Sequence, residues 1–416
     1  MSYKKNYRCT KCNNKYSVEK ELLVCPNCLE KGILDIEYDY DKIKKVMNKA
    51  YFKNNRDLSI WRYLPLLPVE EKYTKNTLRV GWTPLYSSTH LKDKYNCKQL
   101  FLKDEGLNPT QSLKDRASVI ACVKALELNK EVISCSSTGN AASSLAGNAS
   151  KLGLKTVIFV PKRAPLGKLS QLLAFGSNLI KVNGDYKAAY NLSKSAINYY
   201  KWYNRNAAIN PNLIEGKKTV ALEIAEQLNF KPTDWVVVSV GDGCTIGGVY
   251  KGFYDLLNLD LIDKIPKIIG VQAEGCSPFY DAFHNNSELK ETDESTIADS
   301  IAVGIPRNPI KGLEAVKKSQ GTYLKVSDKK IMEAMLLLGK EEGIFAEPAA
   351  AASLAGFIQA REKDIIKEKD TVTVIITGNG LKDTENALKV VDEPILLDSN
   401  LEELIDYIEE RGMTDE

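Results

Sequence analysis

The sequence predicts an α/β fold made of two open, mostly parallel sheet domains with flanking helices, preceded by a small zinc-ribbon-like segment. Three observations predict it. Short apolar runs recur between residues 66 and 390, at Gln99–Lys103, Glu131–Ser136, Thr156–Pro161, Trp235–Val240, Ile268–Gln272 and Thr371–Ile376. Helix-like segments lie between them, among them Lys114–Leu128, Ala141–Leu152 and Lys329–Glu342. Strands buried on both faces read as continuous apolar runs, and their alternation with helices marks a parallel sheet. The third observation is the cluster Cys9, Cys12, Cys25 and Cys28 ahead of the first strand.

Composition narrows the function classes. A chain of 416 residues exceeds the usual limit of one core, so two or three structural units are expected. With 44% hydrophobic and 27% charged residues, it can bury a sizeable interior. A net charge of +3 gives no whole-chain case for nucleic acid. No run of about 18 apolar residues points to a membrane span, and the start MSYKKNYRC lacks the apolar region of a secretion signal. The two His, His90 and His284, stand in unrelated contexts. Chemistry that needs imidazole in a constellation, such as a His-rich metal centre or a Ser-His-Asp hydrolase, is therefore excluded. Acid-base work must fall to another side chain.

The first element is the cysteine cluster. Two C-x2-C pairs twelve residues apart each form a knuckle aiming two thiolates at one point, and together they make a tetrahedral S₄ shell suited to structural Zn²⁺. So small a segment cannot bury enough surface to fold alone, so metal is expected to fold it. Residues 40–60 read as a polar helix and linker.

The next informative stretch is residues 105–116, EGLNPTQSLKDR. Asn-Pro punctuates a loop after a strand, and Ser112 is placed to cap a helix beginning near Lys114. A Lys at a helix N-terminus meets an unfavourable dipole, which suits an amine whose neutral form must be accessible. A second loop, Ser136-Ser137-Thr138-Gly139-Asn140, offers hydroxyls and free amides before a small-residue helix, an anion site in kind. A third, Gly241-Asp242-Gly243-Cys244-Thr245, precedes another helix, and its glycines let amides approach a phosphate. It is neither a Walker A loop nor a complete G-x-G-x-x-G, since Ile246 takes the last position. The fourth, Ile376-Thr377-Gly378-Asn379-Gly380, exposes a lone hydroxyl at a strand end, where open α/β sheets bind ligands. One amine, one anion loop, one phosphate loop and one hydroxyl fit pyridoxal 5'-phosphate, and that cofactor also answers the shortage of His. The last segment, Asn400–Gly412 within an acidic tail, reads as a solvated helix.

In order, NPTQSLKDR (108–116), SSTGNAAS (136–143), NPNLIEGKKTVALEI (210–224), EGIFAEPAAAAS (342–353) and ITGNGLKD (376–383) resemble the threonine synthase family over residues 65–390. The resemblance implies the fold type II architecture of pyridoxal-phosphate enzymes, the tryptophan-synthase-β group. It implies Lys114 as the cofactor-bearing lysine and proton shuttle. It implies Asn140 on the cofactor's phenolic oxygen, Gly241, Asp242, Gly243, Cys244 and Thr245 on its phosphate, and Thr377 at its pyridine nitrogen. Ser137, Thr138 and Gly139 are implied to bind the substrate carboxylate, and Lys187, which can offset the charge of Asp185, is read from the chain itself as a further substrate contact. The expected organisation is a ribbon over 1–35, a large cofactor-binding domain over 36–110 and 210–390, a small mobile domain over 111–209 that closes over substrate, and an acidic tail over 391–416. The expected reaction is O-phosphohomoserine plus water to threonine and phosphate, in a cytoplasmic homodimer. The chain departs from the family's usual wording where Gln111 replaces Gly, Leu113 replaces Phe, Ala141 replaces Thr, Asp185 and Tyr186 replace Asn-Phe, and Ala350 replaces Ser. Several of these departures fall on phosphate recognition. They leave two other readings: β-elimination or β-replacement on serine, threonine or O-phosphoserine, as in a dehydratase-like or cysteate-synthase-like enzyme, and a zinc-ribbon binding protein on a dead scaffold.

Overall fold

Four antiparallel strands open the molecule: β1 (Lys4–Cys9), β2 (Lys15–Tyr16), β3 (Val24–Cys25) and β4 (Leu29–Tyr38), in the order β2-β1-β4-β3. The computed structural model describes residues 3–164 and 166–413. The cysteines sit at the turns of this small sheet, and its β4 hairpin docks on the body of the protein. Asp35 Oδ1 accepts from Lys311 Nζ at 2.9 Å, Tyr38 Oη donates to Glu215 at 2.9 Å, and Lys251 Nζ donates to the Ile36 carbonyl at 2.8 Å.

Helices α1 (Tyr40–Val46) and α2 (Lys49–Asn54) follow. The expected polar linker is instead part of the core here. Ile43, Met47 and Phe52 are buried against the ribbon and the main sheet's helices. Apolar residues spaced about one helical turn apart among lysines form a narrow buried stripe, and composition alone hides it.

The chain then starts its largest sheet with β5 (Leu85–Ser88), α3 (His90–Lys94) and β6 (Gln99–Asp104), and leaves it through α4 (Lys114–Glu127). A second, fully parallel sheet comes next, from β7 (Val132–Ser136), α5 (Asn140–Lys151), β8 (Lys155–Pro161), α6 (Leu166–Ala174), β9 (Asn178–Val182), α7 (Tyr186–Tyr200) and β10 (Tyr203–Asn204). Its order is β10-β7-β8-β9. Helices α8 (Asn212–Lys217) and α9 (Thr219–Gln227) return the chain to the large sheet. That sheet is completed by β11 (Trp235–Ser239), α10 (Cys244–Asn258), β12 (Lys267–Ala273), α11 (Pro278–His284), α12 (Pro309–Lys318), β13 (Thr322–Val326), α13 (Asp328–Glu342), α14 (Pro348–Glu362) and β14 (Thr371–Ile376). Its order is β13-β12-β11-β14-β6-β5, parallel except for β5. Short α15 (Thr384–Leu388) and exposed α16 (Leu401–Glu410) end the described chain.

Packing explains the composition of these elements. β11 is buried at every residue, as a central parallel strand must be. The run Ala349–Ala352 lies buried on α14, where small side chains let the helix approach the sheet closely. Gly216 of α8 lies so near α4 that a Cβ there would stand 2.0 Å from the Arg116 carbonyl, so no other residue fits. That contact fixes α8 and its lysines beside the start of α4. The five cysteines outside the ribbon, Cys97, Cys122, Cys135, Cys244 and Cys276, are buried and free of disulfides.

Candidate active site

The four loops flagged in the sequence follow β6, β7, β11 and β14, all at carboxyl ends of parallel strands. Backbone hydrogen bonds zip two of them together. Leu113 N donates to the Thr377 carbonyl at 2.9 Å, and Asn379 N to the Gln111 carbonyl at 3.1 Å. A third segment joins on the other side, with Glu347 N on the Gly378 carbonyl at 3.1 Å and Gly380 N on the Phe345 carbonyl at 2.9 Å. Thr377 is thereby held beside Leu113, directly before Lys114.

Lys114 is the first residue of α4. The expected Ser112 cap is absent: Leu113 occupies the cap position with no side-chain bond, and the buried Ser112 Oγ has no hydrogen-bond partner. Asp115 ties down the loop instead, accepting from Thr110 N and Thr110 Oγ1 at 2.8 Å each and from Asn148 Nδ2 at 2.8 Å. Burial pushes the Asp115 carboxyl up to about 6. Gln111, where the resemblance expects Gly, keeps the left-handed turn at φ +68°. Among the described residues, no hydrogen bond or ion pair holds the Lys114 amine. Burial first, and then the charge of Lys217, bring that amine down to about 8.

The phosphate loop forms as its glycines require. Gly243 caps α10 at φ +80°, with a Cβ there only 2.7 Å from the Asn308 carbonyl, and no side chain caps the helix. The first intrahelical bond comes from Gly247 N to the Gly243 carbonyl, so the amides of Cys244, Thr245 and Ile246 have no helical acceptor. Asp242 points elsewhere: its Oδ1 accepts from Arg307 N at 3.3 Å and its carbonyl from Asn308 N at 3.0 Å. Cys244 is buried beside Ile33 of the ribbon and Ala208, so its amide rather than its thiol faces a ligand.

Thr138, Gly139 and Asn140 line a cleft of about 240 Å³ with Ser143, Gln171, Ser300, Glu347 and Lys382. Asn140 Nδ2 donates to Glu347 at 2.9 and 3.0 Å and to Ser300 Oγ at 3.3 Å. Ser137 Oγ accepts from Gly139 N at 3.3 Å, bending the loop. Lys187 stands apart, exposed on the first turn of α7, while its neighbour Tyr186 donates to the Ser136 carbonyl at 3.3 Å.

Sequence reasoning missed four residues of this site. Glu347, whose carboxyl burial raises above its ordinary range, faces Lys114 electrostatically. Arg205 and Lys217 are buried cations interacting with Lys114. Lys382 reaches Ser143 Oγ at 3.2 Å and Gln171 Oε1 at 2.5 Å. Glu347, Lys217 and Lys382 lie inside motifs already singled out, and the paired lysines of EGKKT were a usable signal.

The arrangement fits pyridoxal 5'-phosphate: an unpartnered amine, an uncapped glycine-cradled helix N-terminus and a strand-end hydroxyl converge at one sheet edge. The thiols of Cys9, Cys12, Cys25 and Cys28 also fit a metal ion. All four sulfurs lie within 4.8 Å of one another, and Cys12 and Cys25 are 3.7 Å apart. A tetrahedral site with Zn–S near ~2.3 Å needs sulfurs about 3.8 Å apart. Among the described residues, no helix is long and apolar enough to cross a membrane.

Comparison with known proteins agrees with this chemistry. The family model described as "Pyridoxal-phosphate dependent enzyme" matches residues 77–378. The threonine synthase of Methanocaldococcus jannaschii is 38% identical over 397 residues, covering 95% of this chain and 97% of that protein. That of Methanosarcina acetivorans is 37% identical over 404 residues, covering 96% and 98%. Among solved structures, the processed form of threonine deaminase isoform 2 from Solanum lycopersicum matches with a TM-score of 0.63 at 22% identity, covering 74% of this chain and 82% of that one. A likeness at that identity speaks for the fold alone.

Proposed function

This chain belongs to the pyridoxal-phosphate dependent enzyme family and, within it, to the threonine synthases, and from that premise we propose how its own residues carry the reaction. It is a pyridoxal-phosphate-dependent lyase of the threonine synthase type, turning O-phosphohomoserine and water into threonine and phosphate. The observation that carries the residue assignment is the Lys114 amine, without a hydrogen bond or ion pair among the described residues and zipped beside Thr377, with the uncapped α10 following β11, the strand that pairs with β14.

When bound, the cofactor supplies the electron sink that acidifies the protons beside the substrate's amino-bearing carbon. Lys114 anchors the cofactor and, once released, serves as proton acceptor and donor. An amine brought to about 8 has an appreciable neutral fraction near neutrality, as a general base requires. The free amides of Cys244 and Thr245 at the start of α10, in the turn shaped by Gly241, Asp242 and Gly243, would hold the cofactor's phosphate with the helix dipole. Asn140 would donate to the ring oxygen. Thr377 would offer the ring nitrogen a neutral hydroxyl, which does not force its protonation. Ser137, Thr138 and Gly139 bind the substrate carboxylate.

The unit of residues 111–209 moves against the frame of 36–110 and 210–390. In support, the cleft is lined from both, by Asn140 and Gln171 on one side and Ser300, Glu347 and Lys382 on the other. Closure of this unit is what brings Lys187 to the substrate. The ribbon of residues 1–35 carries a structural zinc ion, the 391–416 tail is solvated over its described part, and the enzyme works as a cytoplasmic homodimer in threonine biosynthesis. The dehydratase-like, cysteate-synthase-like and dead-scaffold readings are not favoured, given 37–38% identity to threonine synthases over 95–96% of the chain and the presence of Lys114, Asn140 and Thr377.

The test is direct. Purified enzyme incubated with O-phosphohomoserine should release threonine and phosphate in equal amounts. Turnover of serine or O-phosphoserine with neither product would reject the assignment. For the ribbon, Cys9→Ser should cut the zinc content of the purified protein to well below one ion per chain, as measured by plasma emission.

A further inference from the structure

Behind the cleft lies a group of hydrogen-bond donors that the cofactor does not account for. Lys217 is 4% exposed and Arg205 is 2% exposed. Among the described residues, Lys217 makes no hydrogen bond or ion pair. Arg205 has, among the described residues, one side-chain partner, Ser118 Oγ, reached at 3.1 Å from Nε and 3.0 Å from Nη2. Two further donors stand beside Arg205. Asn206, 3% exposed, accepts from Ser136 N at 2.9 Å, and its Nδ2 has no partner. Ser136, 4% exposed, has an Oγ that is also unpartnered. Arg205 N donates to the Ser134 carbonyl at 2.9 Å, so these residues sit on the end of the strand that leads into the substrate loop. Ala207 and Ala208, next in the chain, pack on Cys244 and bring the group up to the start of α10. The Cβ of Lys217 lies 3.0 Å from where a Cβ of Gly248 would stand, which places it along that same helix.

Buried donors without acceptors are costly, and buried like charges more so. An acceptor-only dianion removes both costs at once. The cofactor's phosphate has its own donors in the α10 amides, whereas Ser136 and Asn206 belong to the substrate side, directly before Ser137, Thr138 and Gly139. Ala141, at the start of the same loop, offers no hydroxyl to a phosphate.

We propose that Lys217 and Arg205, with the unpaired donors of Ser136 and Asn206, form the subsite that binds the substrate's phosphate and holds it as it leaves. This deepens the reading above and rests on it, because it requires a phosphomonoester substrate. Lys217 and Arg205 interact with each other and with Lys114, and burial, first among the causes, lowers the basicity of both. Arrival of a dianion reverses that effect and keeps the pair charged.

The test uses holoenzyme carrying Lys217→Gln, with Lys217→Arg as the charge-keeping control. Three quantities are read: the dissociation constant of inorganic phosphate by calorimetry, KM and kcat for O-phosphohomoserine, and the dissociation constant of the cofactor. Lys217→Gln should weaken phosphate binding and raise KM by roughly ten- to a hundredfold while cofactor affinity stays put, and Lys217→Arg should restore much of both. If Lys217→Gln does not fold, judged by its melting transition, Arg205→Lys should still raise KM and weaken phosphate binding. A folded variant with unchanged phosphate affinity and KM overturns the subsite. So does a variant that loses cofactor affinity with KM unchanged, since the pair would then serve the cofactor's phosphate. Failure of the underlying reading looks different: wild type binds inorganic phosphate, Lys217→Gln does not, and neither releases phosphate from O-phosphohomoserine.

Discussion

Lys114 and Arg116 stand two residues apart on α4 and live in opposite electrostatic worlds. Residues at that spacing point to nearly opposite sides of a helix. Arg116 is wholly buried and fully matched. Its guanidinium donates to Glu105 at 2.6 and 2.7 Å, to Glu223 at 2.6 and 2.7 Å and to Thr219 at 2.8 Å. Lys103 completes the cluster, donating to Glu223, the Thr83 carbonyl and Gln227 at 2.7 to 2.9 Å. Two cations meet two carboxylates there. On the other side, Lys114 shares its surroundings with Lys217 and Arg205 against Asp242 and Glu347, and its amine is tied to none of them. A closed, neutral network fixes the base of the helix, and an open, cation-rich one at its start is ready for an anionic ligand. Buried charge builds structure where it is matched and function where it is not.

The largest expected effect comes from removing the free amine. Lys114→Ala should lower turnover by ~10⁴-fold or more and abolish the visible absorption of the lysine-bound cofactor, while leaving the melting temperature nearly unchanged. The matched side should answer in the reverse sense. Glu223→Gln leaves Arg116 and Lys103 sharing Glu105 and should destabilise the protein by about 3–5 kcal/mol in denaturant unfolding. Glu223 is fully buried, and Arg116 and Lys103 outweigh that burial to hold its carboxyl down to about 2. Its stabilising contribution is therefore complete above its ordinary carboxylate range and lost as pH falls towards 2, so Glu223→Gln should flatten the acid limb of the stability profile. A third, smaller effect concerns the open side alone. Because only the neutral Lys114 amine can take up the cofactor, the uptake rate of the cofactor-free protein should rise about tenfold per pH unit below 8 and level off above it, which stopped-flow absorbance would follow. The smallest effect is expected at Gln111. Gly tolerates φ +68° without strain but gains entropy in the unfolded chain, so Gln111→Gly should stabilise by less than about 1 kcal/mol in thermal unfolding.

The legibility of the molecule followed its physics. The parallel strands were readable because burial on both faces leaves unbroken apolar runs such as Trp235–Val240, observed as β11 at Trp235–Ser239. The cysteine knuckles were readable because ligand spacing is local. The buried stripe of α1 and α2 was not, because Ile43, Met47 and Phe52 are diluted among lysines and are buried only once the ribbon and distant residues such as Phe230 pack on them. Ser112 looked like a cap, yet the bonds of its own loop went to Asp115 and to the Thr377 segment, which no local pattern displays. Arg205 and Glu347 looked like ordinary polar residues, since no local pattern says which charges the fold will bury side by side, and only the paired lysines of EGKKT hinted at Lys217.

By itself, the sequence determined the kinds of element and the order of the four strand-end loops, because these depend on periodicity and turn chemistry over a few residues, and its family motifs singled out Lys114 as the lysine to test. The tertiary structure alone decided which charges are matched. It set Glu105 and Glu223, 118 positions apart, on the two sides of Arg116, and it carried Arg205 and Lys217 from the far ends of β10 and α8 to the start of α4 and α10. Charge balance inside a protein is a sum over neighbours in space, and the chain order does not contain those neighbours until the sheets have formed.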